Sequence, residues 1–271
     1  MTKPPFQLIK GAGDVGSAIA HRLRRAGLRP VLVEGPTPVI TRRRMAFGTA
    51  VLEGKAELEG LRALRCATAD EALACLEESG CVPVLVADEG ESLSLPSPQV
   101  VVDARMRKKS RPPAQIGEAA LVIGVGPAFR AGEQVHAVVE SNWGPELGRV
   151  LWQGESESYT GRHRVVEGHG RERYLYAPHA GIFHTSLDVL ALVEAGQVVG
   201  TVEGTPLTVE IGGMLRGLAG DNVPVAAGAK LVEVDPRRDP AFCIGIAERP
   251  GRIADGVLAA IREKYPVHRP E

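Results

Sequence analysis

The sequence is poor in aromatic residues and cysteine, and it carries no excess of charge of either sign. Aromatic residues make up 4% of the 271 residues, which argues against a surface that stacks nucleic-acid bases. The formal net charge is −1, with acidic and basic residues interleaved, so neither a nucleic-acid stripe nor a polybasic membrane patch is indicated. No apolar run approaches the roughly 20 residues that span a bilayer. We therefore expect neither a nucleic-acid nor a membrane partner.

The amino terminus indicates a reducing compartment, in which free thiols are the default for cysteines. The segment Met1 to Phe6 has no apolar core of a secretory signal, so a cytoplasmic location is expected. Cys66, Cys75, Cys81 and Cys243 form no C-x-x-C pair and match no zinc-ribbon spacing. We expect the first three to be buried free thiols. The histidines also follow no metal-binding signature, and no metal ligands are predicted.

A strand, a glycine turn, a helix and a second strand open the chain. Gln7 to Lys10 is predicted to be a strand, Asp14 to Ala26 an amphipathic helix, and Arg29 to Glu34 a buried strand. The turn between the first strand and the helix matches G-x-G-x-x-G, in the context that supports a dinucleotide site. The predicted cofactor-binding residues are the six of this motif and the acid that ends the second strand: Gly11, Ala12, Gly13, Asp14, Val15, Gly16 and Glu34.

Each residue of this motif has a physical reason to be there. Gly11 permits a tight turn, Gly13 lets a diphosphate approach the backbone, and Gly16 lets the helix pack closely on the strand. The start of the helix offers N–H groups to a phosphate, and Glu34 is placed to accept a hydrogen bond from a ribose hydroxyl. Asp14 is interpreted as a helix cap. The alternative is a glycine turn that serves packing alone, with an empty site.

The remaining pattern predicts an α/β fold followed by an all-β region. Strands and helices alternate to about residue 118, which is typical of a Rossmann-like parallel sheet, and helical periodicity then nearly disappears. We predict a nucleotide-binding domain at 1–118, a β-rich middle region at 119–173, a barrel-sandwich-hybrid module at 174–240, and a C-terminal segment with a closing helix at 241–271. The module resembles biotinyl and lipoyl domains, but its tip at Glu203 to Pro206 has no lysine, so no covalent biotin or lipoate is expected.

Two further places are weak candidates for catalysis. Asp103 ends a predicted strand and could form an anion-binding edge with Arg105, Lys108 and Lys109, or these could be ordinary surface charges. His136 and Glu140 share one face of a predicted strand, which permits an acid/base pair, a metal-binding pair or an ordinary surface pair.

Cys243 is the last candidate, because two arginines precede it. Arg237 and Arg238 would lower the pKa of a neighbouring thiol and favour a thiolate. That chemistry would permit a sulfur or selenium carrier, whereas the alternative is a structural thiol.

Several blocks of the sequence resemble one family. The blocks are IKGAGDVGSAIAHRLRRAG, PVLVEGPTPVITRRRMAFGTAVLEG, VVVDARMRKK, LVIGVGPAFRAGEQVHAVVESNWGPELGRV and VDPRRDPAFCIGIAERPGRIADGVLAAI. They resemble the selenium-dependent molybdenum hydroxylase system proteins, which are accessory or maturation factors.

This resemblance implies a maturation factor for xanthine dehydrogenase-like molybdenum hydroxylases. It implies a molybdenum hydroxylase client enzyme as a partner and a small nucleotide-type ligand, with NAD(P) or a molybdopterin dinucleotide as candidate cofactors. Two alternatives stay open, namely a stand-alone NAD(P)-dependent oxidoreductase and a non-catalytic adaptor with a vestigial nucleotide site. The sequence leaves open whether the chain forms a homo-oligomer and whether it catalyses a reaction.

Overall fold

The structure is a computed structural model that describes residues 4–107, 111–161 and 163–266. Its helices are α1 (Asp14–Arg25), α2 (Thr49–Glu53), α3 (Ala69–Glu77) and α4 (Glu248–Lys264), with single 3-10 turns at Arg43–Met45, Arg171–Arg173 and Pro240–Phe242. Its strands are β1 (Gln7–Lys10), β2 (Pro30–Glu34), β3 (Lys55–Leu58), β4 (Leu61–Cys66), β5 (Cys81–Val86), β6 (Val100–Asp103), β7 (Leu121–Val125), β8 (Arg130–Ala131), β9 (Ala137–Val139), β10 (Val150–Leu151), β11 (Gly154–Glu155), β12 (Tyr174–Tyr176), β13 (Gly181–His184), β14 (Leu192–Val193), β15 (Val198–Val202), β16 (Thr205–Thr208), β17 (Gly213–Leu218), β18 (Val223–Val225) and β19 (Lys230–Asp235).

A nine-stranded mixed sheet organises the first part of the chain. Its strand order is β10-β9-β7-β6-β1-β2-β5-β4-β3. The seven inner strands pair in parallel, while β3 and β10 run antiparallel at the two edges. Every residue of β7 is buried, as is nearly all of β5. Their continuous apolar sequences therefore suit strands that are covered on both faces.

Helices α1 and α4 cover one face of this sheet and pack against each other. Ile19 and Leu23 of α1 belong to the same buried cluster as Val257 and Ile261 of α4. The four-residue spacing of each pair places both side chains on one helix face. The chain leaves α1 at Gly27, whose φ of +80° is a conformation that favours glycine. Helix α3 and a second apolar cluster cover the opposite face.

The C-terminal strands form two antiparallel sheets of four strands each. One has the order β12-β19-β17-β14, and the other has the order β16-β15-β13-β18. Phe183, Leu215 and Val232 are buried in the separate core of these sheets. The side chains of Arg42 and Arg43 reach from the first part of the chain into this region, where Arg42 meets Glu233 of β19. These contacts join the two parts of the chain.

The predicted fold class is wrong in several respects. The large sheet is mixed instead of parallel, because β4 returns from β3 through a tight turn that only antiparallel neighbours permit. Strands β7, β9 and β10 complete this sheet, so the predicted boundary at 118/119 falls inside it. The closing helix α4 packs on α1. The region at 174–240 is described by its two antiparallel sheets, and its assignment as a biotinyl- or lipoyl-like module is withdrawn with the fold class.

The expectation of free thiols is also wrong for two cysteines. Cys75 near the end of α3 and Cys81 at the start of β5 form a disulfide, with their Cα atoms 6.0 Å apart. Cys66 and Cys243 are buried free thiols. Within the described ranges, no helix is long and apolar enough to cross a membrane. The location of the chain in the cell stays a prediction.

Candidate functional site

A cavity of about 690 Å³ lies between the mixed sheet and the β12-β19-β17-β14 sheet. One side is formed by residues that follow β1, β6, β7 and β9, namely Gly13, Asp14, Val15, Met106, Pro127, Ser141, Asn142 and Trp143. The opposite side includes Arg173, Tyr174, Tyr176, Arg216, Lys230 and Glu233, and the start of α4 closes the cavity with residues 247–250. The strand order diverges at β1, which has β2 on one side and β6 on the other. Ligands of open α/β sheets bind at the carboxyl ends of strands at such a divergence.

Positive charge dominates the lining of this cavity. Seven basic side chains and four carboxylates line it, which leaves an excess of three positive charges. The basic residues are Arg42, Arg164, Arg173, Arg216, Lys230, Arg237 and Arg249, and the acidic ones are Asp14, Glu157, Glu233 and Glu248. In a partly enclosed space with low-dielectric walls, such an excess raises the local concentration of anions.

Glu233 of β19 is the buried carboxylate that organises these cations. Arg42 donates two hydrogen bonds of 2.9 Å to it, and Lys230 donates one of 3.1 Å. Guanidinium nitrogens of Arg173 and Arg216 lie 3.5 and 3.6 Å from Oε1. Burial alone would raise the pKa of Glu233, but Arg42 and Lys230 hold that pKa well below its ordinary value. The carboxylate is therefore ionised at neutral pH.

Arg42 also connects this cluster to the glycine turn. Its Nη1 lies 2.5 Å from Oδ2 of Asp14, the first residue of α1. Burial alone would raise the pKa of Asp14, but the charge of Arg42 lowers it. The prediction that Asp14 caps α1 is wrong, because the N-cap is Gly13 and no side-chain cap forms. The Asp14 carboxylate instead fixes Arg42 between the two layers of the fold.

The glycine turn adopts a closely packed conformation. Gly11 has a φ of +96°, and a Cβ atom at Gly16 would lie 1.9 Å from the carbonyl oxygen of Gly11. Gly16 therefore packs as predicted, whereas a Cβ at Gly13 would meet nothing within 4 Å. The Glu34 carboxylate accepts a hydrogen bond of 2.7 Å from the N–H of Ala12 and one of 3.1 Å from the N–H of Gly35.

Three of the seven predicted cofactor-binding residues reach the cavity. Gly13, Asp14 and Val15 line it. Gly11, Ala12, Gly16 and Glu34 are not part of its lining and instead hold the turn together. The predicted binding of a cofactor by these residues stays a prediction.

Asp103 lies at the carboxyl end of β6 but not in the cavity lining. It is buried, accepts a 2.9 Å hydrogen bond from Nε of Arg105, and accepts another of 2.8 Å from Gln115. Burial alone would raise the pKa of Asp103, but these donors lower it. Lys108 and Lys109, which were predicted to join this edge, lie outside the described residues. The contacts of Asp103 are those of a satisfied internal ion pair.

Glu140 positions one wall of the cavity. It is buried after β9 and accepts the backbone N–H groups of Ser141, Asn142 and Glu157 at 2.6, 2.7 and 2.7 Å. These bonds fix the loop that carries Ser141 and Asn142 into the cavity. Among the described residues, the hydrogen-bond partners of Glu140 are thus backbone groups and do not include His136.

His136 makes a hydrogen bond to the neighbouring strand, and Cys243 is a buried thiol with a raised pKa. Nδ1 of His136 accepts the N–H of Val122 at 3.0 Å, and burial lowers the pKa of this histidine. Burial raises the pKa of Cys243 to about 11, and Asp235 adds to the effect. The prediction that neighbouring arginines give Cys243 thiolate character is therefore wrong.

Sequence reasoning did not find most of the cavity wall, and among the missed residues are Glu233, Ser141 and Arg249. Nε of Arg249 donates to the carbonyl oxygen of Ser141 at 2.6 Å. Oγ of Ser141 is buried and has no hydrogen-bond partner among the described residues. The two residues lie over 100 positions apart, and the only local signal is a basic residue just before Pro250 and Gly251, where α4 begins.

The chain is similar to one curated protein of Escherichia coli strain K12. The uncharacterized protein YqeB is 34% identical over 254 residues, which are 94% of this chain and 47% of that protein. The chain therefore spans about half the length of this curated relative. No family model matches the chain.

Several solved structures align with most of the chain at low similarity. The ectoine utilization protein EutE (DoeB) from Ruegeria pomeroyi, in its product-bound structure, is 10% identical with a TM-score of 0.26, and the alignment covers 86% of this chain and 85% of that one. An aspartoacylase family protein from Mesorhizobium loti is 10% identical with a TM-score of 0.25, covering 86% of each chain. A succinylglutamate desuccinylase/aspartoacylase from Rhodobacter sphaeroides is 15% identical with a TM-score of 0.24, covering 86% of each chain. TM-scores this low support no inference about the fold or the reaction of this chain.

The function expected from the family resemblance finds no support in these comparisons. No family model matches, the curated relative is uncharacterized, and none of the structures named above is a molybdenum hydroxylase accessory factor. The expected maturation role, together with its selenium and molybdenum assignments, is withdrawn. The family resemblance and the predicted partners stay predictions. In the described part of the chain, no three His, Cys, Asp or Glu side chains converge in a group that could hold a metal ion.

Proposed function

We propose that this chain binds a small, negatively charged molecule in the cavity between its two β layers. The observation that carries the proposal is the excess of positive charge in a cavity at the carboxyl edge of the sheet. Its volume of about 690 Å³ lies within the range of small-molecule sites, which is roughly 300–1,000 Å³. Tyrosines and Trp143 contribute apolar surface beside the charged groups. The lining therefore suits an anion that also has an apolar part.

The cations are held in place before any ligand arrives. Arg42 is fixed by Asp14 and Glu233, and Arg173 by Glu233 and Asp235. Side chains that are already ordered lose little conformational entropy when a ligand binds. The carboxylates cancel only part of the positive charge, so an incoming anion meets an ordered site that still attracts it.

A titration with simple anions tests this proposal. Pyrophosphate and citrate are titrated into the wild-type protein by calorimetry, with spermidine as a cationic control. The cavity is then obstructed by Gly13→Val, because a side chain at Gly13 enters open space without a clash. Gly117→Val is the matched control, since Gly117 also has open space around its Cβ position but does not line the cavity.

We expect at least one of the two anions to bind the wild-type protein and the Gly117→Val variant. Binding should be lost in Gly13→Val while its circular dichroism spectrum stays native. The proposal is wrong if neither anion binds the wild-type protein, or if folded Gly13→Val binds as well as the wild-type protein does.

A further inference from the structure

Arg249 differs from the other cations of the cavity. The six others each lie within 4.0 Å of a carboxylate, but Arg249 has no such partner among the residues that the structure describes. Within the described residues, its hydrogen bond runs from Nε to the carbonyl oxygen of Ser141. Burial disfavours the charged form and lowers the pKa of Arg249. Asp14 and Glu140 favour its charge only from beyond 4.0 Å, so a partly buried guanidinium without a direct ion pair is a site that an external anion can neutralise.

Ser141 supplies a second donor that lacks a partner. The residue is 1% exposed and lines the cavity, and its Oγ makes no hydrogen bond to any described residue. The loop that carries it is fixed by the Glu140 carboxylate, which accepts the N–H of Ser141 itself. A rigidly held, buried hydroxyl that lines a cavity and has no partner among the described residues is available to donate to a bound ligand.

The start of α4 adds backbone donors at the same place. Residues 247–250 line the cavity, and the N-cap residue Ala247 provides no side-chain cap. The N–H groups of Glu248 and Arg249 have no acceptor within the helix, because the first turn of any α-helix lacks one. The positive end of the dipole of this 17-residue helix therefore faces the cavity.

The start of α1 is not equivalent, although it lines the same cavity. The Asp14 carboxylate in the first turn of α1 already places a negative charge there, and Arg42 holds it. In α4 the corresponding acid, Glu248, has a side chain that is 61% exposed and pairs with Arg164 at 3.9 Å. The α4 end is thus the one whose donors are not met by a carboxylate of the chain.

We infer that Arg249, Ser141 and the first turn of α4 form an oxyanion subsite that binds the phosphate or carboxylate group of the ligand. This inference rests on the proposed function and assigns the charged group of the ligand to one end of the cavity. A guanidinium, a hydroxyl and two N–H groups offer donors from several directions, which suits the oxygens of one terminal anionic group.

The test uses the smallest probes that carry each group. Inorganic phosphate and acetate are titrated into the wild-type protein, Arg249→Met, Ser141→Ala and the control Arg149→Met. Arg149 has an exposed side chain that pairs with Glu146 and does not line the cavity. Methionine keeps much of the volume of arginine, so Arg249→Met removes the charge while leaving little empty space.

We expect the wild-type protein and Arg149→Met to bind at least one probe with equal affinity. Arg249→Met should weaken that binding by about tenfold or more, and Ser141→Ala should weaken it less, because Arg249 contributes a full positive charge in addition to its hydrogen bonds whereas Ser141 contributes one hydrogen bond. Unliganded Arg249→Met should keep a native circular dichroism spectrum, although it loses the hydrogen bond from Arg249 to the Ser141 carbonyl. Tighter binding of phosphate or of acetate identifies which group the subsite prefers.

The outcomes separate the subsite from the proposed function. If citrate binds the wild-type protein and Arg249→Met equally, the subsite is wrong and the proposed function stands. If neither small nor large anions bind the wild-type protein, both are wrong. Should Arg249→Met fail to fold, Arg249→Gln removes the charge but keeps a polar amide, and unchanged phosphate and acetate affinity in that variant would equally overturn the subsite.

Discussion

Replacing Glu233 with glutamine tests whether one carboxylate holds the charged centre of the fold together. Gln keeps the size of the side chain but removes the charge that faces Arg42, Lys230, Arg173 and Arg216. Removing one partner of a buried ion pair costs about 3–5 kcal/mol. The cavity leaves 20% of the Arg42 side chain and 31% of the Lys230 side chain exposed, so we expect the lower end of that range.

Thermal unfolding measures this cost against a matched surface variant. A loss of about 3 kcal/mol corresponds to a fall in melting temperature of about 6–12 °C for a chain of this size. Glu194→Gln is the control, because the Glu194 side chain is 71% exposed and pairs with an exposed arginine. Exposed ion pairs contribute little to stability, so the control should melt close to the wild-type protein.

The same variant should respond to added anions more strongly than the wild-type protein. Without the carboxylate, four cations face the cavity with one fewer negative charge, so saturating pyrophosphate should recover part of the lost melting temperature. If Glu233→Gln melts within about 2 °C of both the wild-type protein and Glu194→Gln, the carboxylate does not organise this centre and the reasoning fails.

Three further predictions concern packing, acid stability and thiol chemistry. Gly16→Ala should lower the free energy of unfolding, measured by urea denaturation, by about 1–3 kcal/mol, because the added Cβ would meet the Gly11 carbonyl. Gly13→Ala should leave this free energy unchanged, because a Cβ there enters open space. Equal stability of the two variants would contradict the close contact between Gly16 and Gly11. The pKa of Glu233 is lower in the folded chain than in the unfolded chain, so its stabilising contribution is complete above about pH 4.3 and is lost as the pH falls below that value. As the pH is lowered through this acidic range, the urea midpoint of the wild-type protein should therefore fall more steeply than that of Glu233→Gln. An equal pH dependence of the two midpoints would argue against an ionised Glu233. The pKa of Cys243 is raised to about 11, so at pH 7.5 this thiol should be alkylated far more slowly in the native protein than in the unfolded protein. Peptide mass spectrometry measures the extent of alkylation, and rapid labelling of Cys243 in the native protein would contradict the raised pKa.

Local patterns predicted the first elements well. The predicted strand Gln7 to Lys10 coincides with β1, and the helix predicted from Asp14 to Ala26 differs from α1 by one residue at its end. Both rest on short-range signals: a short apolar strand, a helical repeat of apolar residues, and glycines at the turns. Such signals act within a few residues, so one sequence suffices to read them.

Pairings between distant segments could not be predicted in the same way. The antiparallel hairpin of β3 and β4 and the membership of β9 and β10 in the large sheet depend on which strands meet in space. The Cys75–Cys81 disulfide was missed because its spacing matches no common motif. The cavity has the same origin, since Arg42 meets Glu233 across 191 positions and Arg249 meets Ser141 across 108.

The central claim is that the cavity takes up one small anion, and equilibrium dialysis with radiolabelled pyrophosphate tests it most directly. We predict that the wild-type protein retains close to one pyrophosphate per chain, that citrate displaces it and spermidine does not, and that Gly13→Val retains none while remaining folded. The account is contradicted if the wild-type protein retains no pyrophosphate, or if folded Gly13→Val retains as much pyrophosphate as the wild-type protein does.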